Sequence, residues 1–234
     1  MIDVIELPGA RAVFSTRDGG VSEGPYRSLN LGILTDDEPE RVSENRRRLA
    51  DAAGVDPGAV AMGWQVHGTE IKEWDDAGPA FAAPGEELPR VDGHTSEQAG
   101  LGLLVLVADC YPVALAGRDR IAMLHCGWRG LAGGIVGKAA AMFDEPPAAA
   151  VGPGIGSCCY EVGDEVLAEF AHVDGAASGR MLDLRAVAEH ELRAAGIRRI
   201  EHLDRCTSCN EDLYFSHRRD HGVTGRQSGL VLRG

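Results

Sequence analysis

The chain has 234 residues, 44% of them hydrophobic and 25% charged, enough for a sizeable buried core in a single domain over residues 1–234. A formal net charge of −13 at pH 7 argues against a broad nucleic-acid surface, since an acidic protein repels the phosphate backbone. The longest apolar run, LGLLVLVA, is far too short to span a bilayer, and MIDVIELPGARAVFSTR has no apolar signal core. The expectation is therefore a cytoplasmic protein with reduced thiols and no membrane partner.

Taken in chain order, RAVFSTR at 11–17 is predicted as a strand that turns Ser15 and Arg17 to one face. A long Gly/Ser/Pro/Asn loop containing Asn30 follows. A helix is predicted over 36–54, capped by Asp36 or Asp37, started near Pro39 and ended by Gly54. The stretch AVAMGWQVHGTEIKEW is predicted as two strands bent at His67-Gly68. DDAGPAFAAPGEELPR is then expected to form a loop or a mobile lid. LGLLVLVADC is predicted as a buried strand, and PVALAG with RIAML as a hairpin turning at Arg118-Asp119. GWRGLAGGIVGKAAAMF is predicted as a glycine-interrupted helix, and GDEVLAEFA and DLRAVAEHELRAAG as two more, the last capped by Asp183. Strands are expected at IRRIEHLD, LYFSHRRD and SGLVLRG. Helices and strands alternate without a strict rhythm, which indicates a mixed α/β (α+β) fold.

A hairpin symmetric about Arg118-Asp119 sets His125 opposite Pro112 and places Cys110 two residues further along the same face. Side chains related in this way lie about 7 Å apart at Cβ, within reach of one ion. His67, before a glycine that permits a sharp turn, supplies a third donor. Two histidines and a thiolate are the donor set of a catalytic zinc with one open position, and the thiolate also suits copper(I). Spacing alone equally allows a buried small Cys110 and two histidines satisfied elsewhere. Arg129, at the start of the helix after His125, is placed to grip an anion; FSHRRD reads first as a solvated strand end, with Arg218 and Arg219 as a second anion contact in the alternative. CTSC at 206–209 has ligand spacing, but adjacent Cys158 and Cys159 are expected to point apart, so all four are read as structural.

These pieces together resemble a known group. FSTRDGGVSEGPYRSLNLG, WQVHG, ADCYPV, HCGWRG, GPGIGSCCYEVG and FSHRRDHGVTGRQ occur in this order over residues 14 to about 228. They are similar to the motifs of the laccase-domain group, once called multicopper polyphenol oxidases. Its members are also described as purine nucleoside phosphorylases with adenosine deaminase activity, and some as peptidoglycan editing factors. The resemblance implies a four-layer mixed-sheet fold of the cysteine-hydrolase type and a catalytic metal site at His67, Cys110 and His125. Ser15, Arg17, Asn30, Gln65 and Arg129 are then expected to contact substrate, with Asp109 supporting the site. Cys126 stands where the group has a small residue, and His94 follows the motif at Asp92-Gly93; either could approach the pocket.

The function this implies is zinc-dependent phosphorolysis of purine nucleosides (adenosine, inosine, guanosine or methylthioadenosine), with adenosine deamination beside it. Its partners are then a small nucleoside and phosphate. The alternatives are a cysteine or zinc amidase acting on peptidoglycan precursors, a copper polyphenol oxidase, and a non-enzymatic zinc module. Eight histidines without an HxH pair fit the oxidase poorly.

Overall fold

A computed structural model describes residues 1–78, 81 and 88–233. The elements in chain order are β1 (Ile2–Leu7), β2 (Ala10–Ser15), α1 (Pro39–Ala53), β3 (Val60–Ala61), β4 (Ile71–Glu73), β5 (Gly93–Ser96), β6 (Gly102–Val107), β7 (Tyr111–Ala116) and β8 (Ile121–Cys126). They continue with α2 (Trp128–Ala132), α3 (Ile135–Ala140), β9 (Ala148–Val151), α4 (Asp164–Glu169), β10 (Ala177–Ser178), β11 (Met181–Leu182), α5 (Leu184–Ala194), β12 (Ile200–His202) and β13 (Gln227–Arg233).

Two mixed sheets carry the fold. One is ordered β1-β2-β13-β6-β3 and the other β12-β9-β7-β8-β5-β4; β10 and β11 form a separate small hairpin. The uninterrupted apolar runs follow from burial on both faces. In β6, Leu103, Val105 and Val107 face the other sheet, while Leu104 joins Leu49, Ala50 and Ala53 of α1. In β7 and β8, Ala114, Met123 and Ile121 fill the space between the sheets, while Val113, Leu115 and Leu124 meet Leu131, Val136, Val187 and Leu192 of the helices. The order is therefore helix, sheet, sheet, helix.

Several expectations change. The segment after Val60 is not a strand pair: β3 lies in the first sheet and β4 in the second, so residues 62–70 cross between them and carry His67 over. LYFSHRRD forms turns rather than a strand; the Phe215 N–H and C=O are taken by the Gln227 side chain, at 2.8 and 3.1 Å. The helix after His125 breaks into two short pieces at Gly133-Gly134, where Gly134 has φ 78°. Helix α1 ends at Gly54 as expected, but no side chain caps its start; Asp37 instead accepts from the Glu38 N–H. Asp183 does cap α5 through the Ala186 N–H. Of the expected loop at 75–90, residues 79, 80 and 82–87 lie outside the described ones.

Candidate metal and nucleoside site

The β7–β8 hairpin has the anticipated register, with Pro112 opposite His125. Cys110 and His125 therefore emerge together at one end of the second sheet, and the crossover brings His67 to them. Their donor atoms all lie within 4.8 Å of one another, with the two imidazole rings edge to face at 4.8 Å between centroids. Gly127 leaves room for the triad: a Cβ there would stand 3.0 Å from Cys110 Sγ and 3.1 Å from His67 Cδ2, tight enough to press on both ligands. His67 and Asp109 both hold left-handed backbone conformations, φ 60° and 90°, uncommon for residues with a side chain and concentrated at functional sites.

Asp92 organises the triad, a role the sequence did not reveal. Fully buried just before β5, it accepts the backbone N–H groups of Val66 (3.0 Å), His67 (2.9 Å) and Gly68 (2.7 Å) and pairs with His125 Nδ1 at 2.8 Å. One carboxylate thus sets the crossover loop and, by occupying Nδ1, leaves His125 Nε2 free to face the other donors. The sequence signal was the Asp92-Gly93 motif, which by itself names no role for the carboxylate.

Burial by itself would raise the Cys110 thiol, but His125 and then His67 outweigh it, so the thiol sits below its ordinary value. Burial would lower His125, yet the Cys110 sulfur and the Asp92 carboxylate hold it above its ordinary value. Proton-free sulfur, two imidazoles, and a carboxylate behind one imidazole match the donor chemistry of a zinc centre. Tetrahedral ligands at about 2.0–2.3 Å from one ion stand roughly 3.3–3.8 Å apart. The triad needs only small adjustment to reach that, and its remaining side opens to a cavity.

That cavity, about 530 Å³, is lined in part by Gln65, His67, Asp109, Cys110, His125 and Arg129. Arg46, Arg218 and Arg226 add positive charge. Arg129 stacks 4.3 Å over the Trp128 ring and has no ion pair or hydrogen bond among the described residues. Asp109 is the only acidic lining residue among those described. Its oxygens are already taken by the Thr207 hydroxyl at 2.6 Å and the Arg218 N–H at 2.7 Å. Gln65 clasps the Leu106 backbone, N–H and C=O alike, at 2.8 and 2.7 Å.

Ser15, Arg17 and Asn30 do not line the cavity. Ser15 is fully buried and accepts from the Ser228 N–H at 2.9 Å, joining β2 to β13. Arg17 donates to the carbonyls of Arg27 (2.7 Å) and Glu211 (3.0 Å) and stacks on Phe215, fastening two loops. Asn30 is buried too, and its Oδ1 accepts from Gly32 and Arg226, which do reach the cavity. Arg219 chelates Asp220 at 2.7 and 2.8 Å instead of offering a second anion contact. Helix α2 has only five residues, so little macrodipole stands behind Arg129.

Cys126, next to His125, points to the opposite face of β8 and joins the helix-side core, where burial pushes its thiol up. His94 lies wholly buried off the cavity, held neutral as burial pushes it down to about 3, and accepts from Trp74 Nε1 at 3.1 Å. The expectation that Cys158 and Cys159 point apart does not hold, because their sulfurs and those of Cys206 and Cys209 meet within 4.8 Å.

The family model described as multi-copper polyphenol oxidoreductase laccase matches residues 11–234. The purine nucleoside phosphorylase YlmD of Geobacillus stearothermophilus is 35% identical, the match covering 96% of this chain and 90% of that protein. The purine nucleoside phosphorylase YfiH of Escherichia coli is 37% identical over 95% of this chain and 93% of its own. The crystal structure of YlmD from Geobacillus stearothermophilus superposes with a TM-score of 0.90 at 35% identity, covering 97% of this chain and 93% of that one.

Proposed function

The chain belongs to the multi-copper polyphenol oxidoreductase laccase family, and we propose that it is a zinc-dependent purine nucleoside phosphorylase with adenosine deaminase activity. On this reading residues 1–234 act as one cytoplasmic domain. Among the described residues, no helix is long and apolar enough to cross a membrane. The names of the relatives support the reaction class, and the cavity's charge balance is the observation that carries it. Among the described residues its one lining carboxylate, Asp109, is engaged by Thr207 and Arg218, whereas Arg129 makes no ion pair or hydrogen bond.

Hydrolysis at a sugar carbon needs a base to activate water, and Asp109 already accepts from Thr207 and Arg218, one contact on each oxygen. Phosphorolysis needs a cationic seat for a dianion, and Arg129 with Arg218 offers one in the cavity wall. A phosphate oxygen then forms a bond to the ribose C1′ as the bond from C1′ to the base nitrogen breaks, and the base leaves with that electron pair. Fixing phosphate and nucleoside side by side supplies much of the acceleration. The cavity volume lies within the range of small-molecule sites, and Met62, Leu106 and Trp128 give it apolar wall for a base. His67, Cys110 and His125 would hold the zinc; when bound, the ion supplies a Lewis acid at the cavity floor. Asp92 keeps His125 oriented for it.

Incubating the protein with adenosine or inosine, with and without phosphate, tests this. Ribose 1-phosphate formed only when phosphate is present supports it, and free ribose at the same rate without phosphate refutes it.

One observation favours a second reading. Cys110, His125 and Asp92 stand in the order nucleophile, base, orienting carboxylate, as a cysteine amidase acting on peptidoglycan precursors would need. That reading leaves His67 without a role. A thiolate held by zinc resists alkylation, so rapid alkylation of Cys110 in the metal-replete, active protein favours the amidase.

A further inference from the structure

Four of the six cysteines gather away from the cavity. Strands β9 and β12 are parallel neighbours, so the chain leaves both at the same end, and a bridge from Gly154 to Cys206 extends their pairing. The Thr207 N–H donates to the Gly154 carbonyl at 2.9 Å, and the Gly156 N–H donates to Cys206 Sγ at 3.2 Å. Residues 206–210 wind through one turn, closed by the Asn210 backbone and side-chain N–H groups on the Cys206 carbonyl at 3.1 and 2.8 Å. Such a turn puts residues i and i+3 on one side, here Cys206 and Cys209. Cys158 and Cys159 also sit in a turn, the Cys159 N–H meeting the Gly156 carbonyl at 3.0 Å, so the side chains need not diverge as they would along a strand. Both of their sulfurs lie 3.4 Å from Cys209 Sγ, and all four sulfurs fall within 4.8 Å of one another.

We propose that Cys158, Cys159, Cys206 and Cys209 form a second metal site that holds one zinc ion in a closed shell of four thiolates. In a tetrahedral shell with zinc–sulfur bonds of about 2.3 Å the sulfurs stand about 3.8 Å apart, within the span seen here. A cluster that places several irons and sulfides among its thiolates would hold them further apart. With every coordination position taken by the protein, the ion has no place for substrate; its role is structural. It clamps two loops that carry little regular structure. Those loops hold the site: Thr207, between Cys206 and Cys209, donates to the Asp109 carboxylate, and the Ile155 N–H donates to the Asp109 carbonyl at 2.8 Å. Asp109 is the strained residue directly before Cys110. The second ion thus steadies the residue that presents the first site's thiolate.

The test measures zinc per chain and sulfur coordination on intact protein purified with reductant and without chelators. Cys110→Ala, which disables the first centre, is expected to retain one zinc, with X-ray absorption showing four sulfur neighbours at about 2.3 Å. Cys209→Ser is expected to carry one zinc fewer than wild type, a difference that does not depend on how full the first centre is. In wild type, the four thiols should resist alkylation until a strong chelator is added. Should either variant fail to fold, that wild-type alkylation measurement decides alone. A disulfide among the four in the reduced protein, free alkylation without chelator, or Cys110→Ala protein without zinc overturns the proposal. Failure of the phosphorolysis reading leaves all of these outcomes unchanged.

Discussion

Replacing Asp92 with asparagine keeps its size but removes one of the two oxygens that receive four contacts, from the N–H groups of Val66, His67 and Gly68 and from His125 Nδ1. The amide that takes its place can only donate; the backbone N–H groups donate as well, and so does His125 Nδ1 in the tautomer that leaves Nε2 for a metal. Either the His67 and His125 contacts or the Val66 and Gly68 contacts are lost, two in each case. Hydrogen bonds to a charged group contribute about 1.5–3 kcal/mol each, so the loss is about 3–6 kcal/mol. Against a total stability of about 5–15 kcal/mol this is a large fraction. At about 2–4 °C per kcal/mol for a chain of this size, the melting temperature should fall on the order of 10–20 °C. Zinc affinity should fall by about 10–100-fold, because His67 and His125 lose the carboxylate that orients them. Thermal melts of metal-free protein measure the first quantity, and competition with a chromophoric chelator measures the second. A metal-free Asp92→Asn protein melting within about 2 °C of wild type would show that the carboxylate does not hold the crossover loop in the way derived above.

Cys110→Ala should lose the metal and the activity of the first centre while its far-UV circular dichroism stays that of wild type, since a small half-buried side chain becomes a smaller one; undiminished turnover in this variant would falsify the ligand assignment. Arg129→Ala should raise the phosphate concentration needed for half-maximal rate about tenfold or more and leave nucleoside KM nearly unchanged, one charged hydrogen bond being worth about 1.5–3 kcal/mol; unchanged phosphate dependence moves the anion seat to Arg218 or Arg226. Burial by itself would raise the Asp220 pKa, but the bonds from Arg219 and Thr224 hold it below its ordinary value. Its contribution to stability is therefore complete above the unfolded value, about pH 4, and fades as pH drops through the lower folded value. Asp220→Asn should accordingly flatten the acid limb of urea stability below about pH 4, and an identical limb in both proteins refutes this.

The sequence by itself determined much that depends on near neighbours along the chain. The β7–β8 register follows from a symmetric turn and a period of two, and it places Cys110 beside His125. Asp183 starts α5 and Gly54 ends α1 as read, because a cap concerns only the backbone a few residues away. Tertiary structure alone decided what each polar side chain meets. Ser15, Arg17 and Asn30 carry the chemistry of substrate contacts, yet Ser228, Glu211 and Arg226, about 200 residues away, claim them as loop fasteners. Residues 59–74 read locally as one bent strand pair, but the two ends satisfy their backbones in different sheets, and no local signal states which sheet edge is free. Asp92 stood out only as part of the Asp92-Gly93 motif; its role exists only because the crossover returns three N–H groups to it. The four cysteines fall under the same rule. Their spacing within each pair was visible, but the parallel pairing of β9 with β12 delivers the two pairs to one point, and a contact made across about 50 residues of chain leaves no periodic trace in the sequence between.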